Sequence, residues 1–305
     1  MMVLNLLAAA AVLAATMPGA AHAAPAVDAA YLADIAQWRG KAEDSLRRER
    51  GWLSIIGRWE LEPGANRIGT AANNDVVLPK GLGPASLGTA SVDGKNVRLV
   101  LASGQKMHTV EEGKPGSEFV ERELVTGDNR VEWVTAGRLS LQIVRREDGK
   151  IVLRAADRDA PIRKTFAGRV WYDASADYRV PARFIPLPKG TKIPIANVRG
   201  EISYEEVAGQ LEFQLGGATM KLDALDDDGD LFIIFRDATS AKTTYGAGRF
   251  LAIKRPKDGA WFVDFNKAYN PPCAFSSYTT CPLPPPQNWL KTAVPAGERY
   301  VERKS

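Results

Sequence analysis

A mainly β protein of two β-sandwich or barrel-like lobes, with an amphipathic helix near its N-terminus and a short helix near its C-terminus, is the fold class that the sequence predicts. Three observations carry this prediction. Most of the chain divides into short runs rich in β-branched and aromatic residues, bounded by Gly, Pro, Asn or Asp. The 27 Gly and 19 Pro among 305 residues supply many turns. A sustained helical period occurs in a single early stretch.

Taken in order, residues 1–23, "MMVLNLLAAAAVLAATMPGAAHA", carry an apolar run, a Pro-Gly break and a small-x-small site ending at Ala23, the pattern of a signal peptide. No Lys or Arg precedes the run, and it is shorter than the ~20 residues a membrane span needs. Cleavage after Ala23 would release a periplasmic or secreted protein with no membrane anchor.

Residues 24–56 hold the helix: Tyr31, Ile35, Trp38, Ala42 and Leu46 recur at steps of three and four, and Gly51 stops the pattern. Residues 57–165 form the expected N-terminal β lobe, with runs such as "RWELEPG", "NVRLVL" and "KIVLRAAD". In "GRLSLQIV", Leu139, Leu141 and Ile143 alternate with polar positions, which predicts a strand with one wet face. Residues 166–305 form the second lobe, from "FAGRVWYD" to "WFVDFN", with the short closing helix expected at "PPQNWLKTAV". The prolines of "CPLPPPQNW" predict a rigid strap anchored by Trp289, or a weaker polyproline recognition segment.

Composition narrows the functional classes. Forty basic and 36 acidic residues are interleaved, so no basic stripe follows a phosphate backbone, and nucleic acid is excluded as the expected partner. No cofactor fingerprint, P-loop, G-x-S-x-G or H-E-x-x-H occurs. His108 is the sole histidine after Ala23, too little for a metal centre or a Ser-His-Asp site. "DALDDDGDLFIIF" resembles a calcium loop, but alignment on Gly229 puts Ala224 and Phe235 at the outer ligand positions, so an acidic hairpin turn at Asp228-Gly229 is expected. An oxidising compartment favours a disulfide between Cys273 and Cys281, with two free thiols or two metal ligands as the alternatives.

The segment "ANRIGTAANNDVVLP" resembles the opening of a forkhead-associated domain, a β-sandwich, with Thr70 where that family carries Arg. A more specific string runs through the C-terminal part: "FRDATSAKTTYGAGRFL", "WFVDFNKAYNPPCAF" and "TTCPLPPPQNWL". It closely resembles the signature of domain-of-unknown-function family 1684, catalogued from bacteria. "RGWLSIIGRWELEPGANRIG" fits the same family. That family has no established activity, so the resemblance assigns no catalytic residue.

The chemistry is therefore argued from the residues. A hairpin closed at Asp258-Gly259 would put Arg249 on one sheet face with Asp264 and Asn266, and Tyr245 would join them. A small-molecule ligand, anionic or polyhydroxyl, is the expected partner of such a polar island, with Tyr245, Arg249, Asn266, Tyr269 and Asn270 as its binding residues. A hydrolase-type enzyme using Asp264 or Asp237 as general acid or base is the alternative. A purely structural cluster, with Arg249 paired to Asp264 or Asp237, is the third.

Overall fold

The computed structural model describes residues 28–302 apart from 112–113, 115, 125–131, 147 and 258. The signal-peptide segment and Asp258 of the expected hairpin turn lie outside the described residues.

The helix forms as its period predicts. Helix α1 (Ala29–Arg47) is capped by Asp28, whose carboxylate accepts from Tyr31 N at 2.7 Å, and it buries Tyr31, Ile35 and Leu46. The described strands that follow are β1 (Ile55–Leu61), β2 (Gly64–Gly69), β3 (Val76–Val77), β4 (Gly88–Asp93), β5 (Asn96–Leu101), β6 (Met107–Thr109), β7 (Glu118–Phe119), β8 (Glu121–Leu124), β9 (Trp133–Ala136), β10 (Leu139–Arg145) and β11 (Ile151–Asp157). They make a sheet ordered β1-β11-β10-β9-β6-β7 and another ordered β3-β2-β4-β5-β8.

These two sheets pack face to face. One cluster joins Leu139, Leu141, Ile143 and Leu153 of the first sheet to Ile68, Ala90, Val97 and Leu99 of the second. Strand β5 shows the period-2 alternation that such packing requires, with Val97 and Leu99 inward and Arg98 outward. Strand β10 departs from the expected wet face: Ser140 and Gln142 are buried along with Leu139 and Leu141. Their face is covered by the segment that follows α1, where Trp52 lies under Arg154 of the neighbouring strand.

After α2 (Pro161–Thr165) come β12 (Arg179–Pro186), β13 (Lys192–Ala196), β14 (Ile202–Leu215), β15 (Ala218–Asp227), β16 (Asp230–Phe235), β17 (Arg249–Ile253) and β18 (Trp261–Asp264). Their sheet runs β17-β16-β15-β14-β12-β18, with β13 also on β14, and curls around Leu211, Leu222, Ile233, Leu251 and Val263 into a nearly closed barrel. The turn between β15 and β16 is the expected acidic hairpin: Asp228 and Gly229 have φ of 51° and 90°, the left-handed values a two-residue type I′ turn demands.

The expected hairpin between β17 and β18 is not formed. Strand β17 pairs with β16, placing Arg249 opposite Phe235, while β18 pairs with β12, placing Asp264 opposite Arg179. The two strands are opposite edges of one curled sheet. The gap is closed by the chain beyond β18, where Phe250 and Tyr269 exchange backbone hydrogen bonds of 2.8 and 2.9 Å.

The C-terminal strap also differs from expectation. Its helix is reduced to a single 3-10 turn, Pro286–Asn288, since the run of prolines leaves few N–H donors for an α-helix. Buried Asn288 and Leu290 anchor it, whereas Trp289 is 44% exposed with Arg236 over its ring. The Asn288 side chain accepts from Asp223 N at 2.7 Å and donates to the carbonyls of Asp223 and Ile234 at 2.9 Å.

Candidate functional site

The string around residues 235–299 builds three separate polar settings. In the first, Arg249 points into the barrel with no exposure. Its Nη2 donates to Asp237 Oδ2 at 2.9 Å and to Val294 O at 3.0 Å, and its Nη1 donates to Ala296 O. The other oxygen of Asp237 accepts from Thr239 N at 2.8 Å, Thr239 Oγ1 at 2.6 Å and Val294 N at 3.0 Å. Burial pushes the Arg249 guanidinium down from its usual pKa, and Asp237 opposes that shift. The preceding Gly248, at φ 101°, is obligatory, because a Cβ there would meet Pro284 Cγ at 2.5 Å and Phe235 O at 2.7 Å.

The second setting joins the barrel edge to α1. Asn266 is fully buried; its Oδ1 accepts from Ser175 N at 3.0 Å, and its Nδ2 donates to Ser175 O at 2.8 Å and to the Tyr31 hydroxyl at 2.9 Å. Tyr31 donates in turn to Asp264 Oδ1 at 2.9 Å. Burial raises the pKa of Asp264, against the lowering effect of its bonds to Tyr31 and Asn266 and of nearby Lys267. Further contacts seat α1 on this lobe: Lys267 pairs with Asp34 at 2.6 Å, and Trp38 meets the rings of Trp171 and Tyr269. The N-terminal helix is thus a strap on the C-terminal barrel.

Tyr269 contributes its backbone to barrel closure and its ring to an edge contact with Phe250, and burial pushes its hydroxyl up to about 12. Tyr245 packs against Tyr300 with ring centroids 4.9 Å apart. Arg249 and Asn266, expected on one face, therefore serve different networks.

The third setting is a cleft. Its volume is about 370 Å³, and Phe166, Arg169, Asn270, Glu298, Arg299 and Tyr300 are in its wall. Asn270 N donates to Glu298 Oε2 at 2.8 Å, and Asn270 Nδ2 donates to Arg299 O at 3.0 Å. The latter bond fixes the orientation of the side-chain amide, since a flip would set two oxygens against each other. Asn270 Oδ1 is left buried with no partner. Arg169 Nη1 donates to Glu298 Oε2 at 2.5 Å, its Nε has no partner, and its guanidinium lies over Phe275 at 4.7 Å. Glu298 is 1% exposed; burial pushes its carboxyl up, opposed first by Arg169.

Cys273 and Cys281 form the expected disulfide, with Cα atoms 6.1 Å apart. Arg169, Glu298 and Arg299 were not among the residues expected from the sequence. Arg169 and Glu298 are 129 positions apart, and nothing in "AGRVWYD" or "AGERY" marks either as polar wall.

Residues 164–299 match the profile of a family described as "Protein of unknown function (DUF1684)". The C-terminal lobe belongs to the DUF1684 family. Strands β12–β18, the Arg249 setting and the disulfide fall inside the match, as do Arg169, Asn270 and Glu298 of the cleft; the α1 side of the second setting and the N-terminal sandwich fall outside it. Among solved structures, the chain is similar to an uncharacterized protein of Haloarcula marismortui determined by solution NMR: 35% identity over 45% of this chain and 78% of that one, with a TM-score of 0.37. No curated protein matches. Neither description names a ligand or a reaction, so the DUF1684 cleft must be read from its own geometry.

Proposed function

We propose that the DUF1684 lobe binds a small polyhydroxyl or anionic ligand in the cleft walled by Asn270, Arg169 and Glu298, in a protein that works outside the reducing cytoplasm. The observation that carries this reading is Asn270 Oδ1, a buried acceptor with no partner. Leaving such a group unmet costs about 1–3 kcal/mol, and a donor at this wall of the cleft, from a ligand or from water, relieves that cost. A ligand hydroxyl supplies one. The adjacent Arg169 Nε asks for an acceptor, which the same kind of ligand offers, and exposed Arg299 stands at the rim for a carboxylate or phosphate. Export is supported by the Cys273–Cys281 bridge, a bond that persists in oxidising compartments, and by the apolar leader before Ala23.

Catalysis has weaker support. The carboxylate of Asp237 is taken up by Arg249, Thr239 and Val294, and Asp264 is bonded to Tyr31 and Asn266; neither contributes to the wall of the cleft.

The test is a thermal-shift series on the purified protein with gluconate, a polyhydroxyl acid, and sorbitol, a neutral polyol. The proposal expects gluconate to raise Tm in the wild type and to lose that effect in Asn270→Ala. An equal shift in the variant, or no shift with either compound at millimolar concentration, counts against it.

A further inference from the structure

Outside the DUF1684 region, the six-stranded sheet of the N-terminal sandwich carries an unusual cross-strand row. Trp133 on β9 stands opposite Gln142 on β10, Gln142 opposite Arg154 on β11, and Arg154 opposite Arg58 on β1. Directly opposed residues share a face, so two arginines are held side by side, an arrangement that destabilises a sheet unless something neutralises it. Among the described residues neither forms an ion pair. The carboxylates nearest in effect to Arg58, Glu201 and Glu60, are engaged by Arg146 and by Lys150 respectively.

Arg154 is the more telling of the two. The hydrogen bond its guanidinium makes runs from Nη1 to Gln142 Oε1 at 3.3 Å, its Nε is buried without a partner, and its flat face lies over Trp52 at 4.9 Å. Burial and the neighbouring Arg58 push its pKa down to about 10, with no carboxylate opposing them. Stacking and the bond to Gln142 fix the guanidinium in place while leaving its charge unmet.

That charge faces space. A cavity of about 870 Å³ lies between the end of α1 and this sheet, with Arg154, Gln142, Trp52, Trp133, Arg48 and Arg50 in its wall. Two carboxylates also border it, Glu49 and Glu111; both are exposed, where water screens them, and Glu49 is 3.8 Å from Arg50. Two carbonyls at the end of α1, of a kind that would repel an anion, are occupied: Arg47 O accepts from Arg163 Nη2 at 2.8 Å, and Arg48 O from Gly51 N at 2.9 Å and Ser54 Oγ at 3.0 Å.

We propose that this cavity is a second ligand site, for a small organic anion whose carboxylate or phosphate sits on Arg154 and whose apolar body is received by Trp52 and Trp133. The site lies in the sandwich and shares no residue with the Asn270 cleft, so either can fail without the other.

Benzoate, inorganic phosphate and neutral benzamide are titrated calorimetrically into the full chain. Benzoate binds best, phosphate binds more weakly for lack of an apolar body, and benzamide gives no heat. Arg154→Met, which keeps the stem over Trp52, weakens benzoate about ten- to hundredfold, while Asn270→Ala leaves it unchanged. Absence of benzoate and phosphate binding to the wild type, benzamide binding as well as benzoate, or unchanged affinity in Arg154→Met each overturns the proposal. If Arg154→Met does not fold, Arg48→Glu at the exposed rim takes its place: benzoate affinity must fall, and an unchanged value overturns the proposal.

Discussion

Arg249 in the DUF1684 barrel and Arg154 in the N-terminal sandwich are both held on sheet strands away from bulk water. Arg249 has a carboxylate and two backbone carbonyls on its guanidinium; Arg154 has one glutamine oxygen and the face of an indole. Both carry a buried Nε without a partner, so an orphan nitrogen alone does not separate architecture from function. What separates them is the countercharge and the cavity: Arg249 has the first and not the second, Arg154 the second and not the first. The family motif thus conceals its Arg249–Asp237 ion pair in scaffolding, and a buried arginine in a signature string is weak grounds for a binding site.

The largest effect expected on this contrast comes from Arg249→Met. It leaves Asp237 as an uncompensated buried charge and should cost about 3–5 kcal/mol in urea unfolding. Joint replacement of Asp237 by Leu should recover part of the loss; a single variant of near wild-type stability would break the contrast at its first arm. Next is the disulfide. Cys273→Ser should cost about 2.5 kcal/mol from the short loop it opens, and intact mass should rise by two hydrogens on reduction of the wild type.

Tyr31→Phe comes third. It removes the hydroxyl that links Asp264 to Asn266 and should cost about 1–3 kcal/mol, with earlier proteolytic release of α1 as the accompanying sign. The same network predicts a pH dependence. Burial raises the folded pKa of Asp264 above its unfolded value, so the folded protein holds that proton to higher pH. Its stabilising contribution is full below the unfolded carboxylate range, near pH 4, and is lost as pH rises through the folded value. Asp264→Asn should flatten this part of the Tm-against-pH curve; an unaltered slope would assign it elsewhere.

The smallest effect is the most pointed. Arg154→Met should leave stability unchanged or raise it by up to about 1 kcal/mol, since relief of an unpaired charge offsets the lost contact with Trp52. A loss of several kcal/mol would place Arg154 with Arg249 as scaffolding.

Much of the fold was legible in the sequence because its signals are local. The period of Tyr31, Ile35 and Leu46, the alternation of Val97 and Leu99, and the Asp228-Gly229 turn each depend on neighbours a few positions away. The β17–β18 hairpin failed for the opposite reason: a local turn signal lost to long-range pairing, because β16 and β12 offered each strand a full partner and Tyr269 closed the remaining gap. Ser140 and Gln142 looked wet because the cover over them, Trp52 with Arg154, arrives from distant segments. Of the cleft, Asn270 was visible in its Asn-Pro-Pro setting. Arg169 and Glu298 were not, since only the closed barrel brings the two ends of the lobe together.

The most direct test of the ligand cleft is calorimetric titration of gluconate into the wild type, Asn270→Ala and Arg154→Met. Binding should be present in the wild type, clearly weakened in Asn270→Ala and retained in Arg154→Met, which removes the second anion site. Affinity in Asn270→Ala equal to that of the wild type, or no binding to the wild type at millimolar gluconate, would contradict a site built on the unmet oxygen of Asn270.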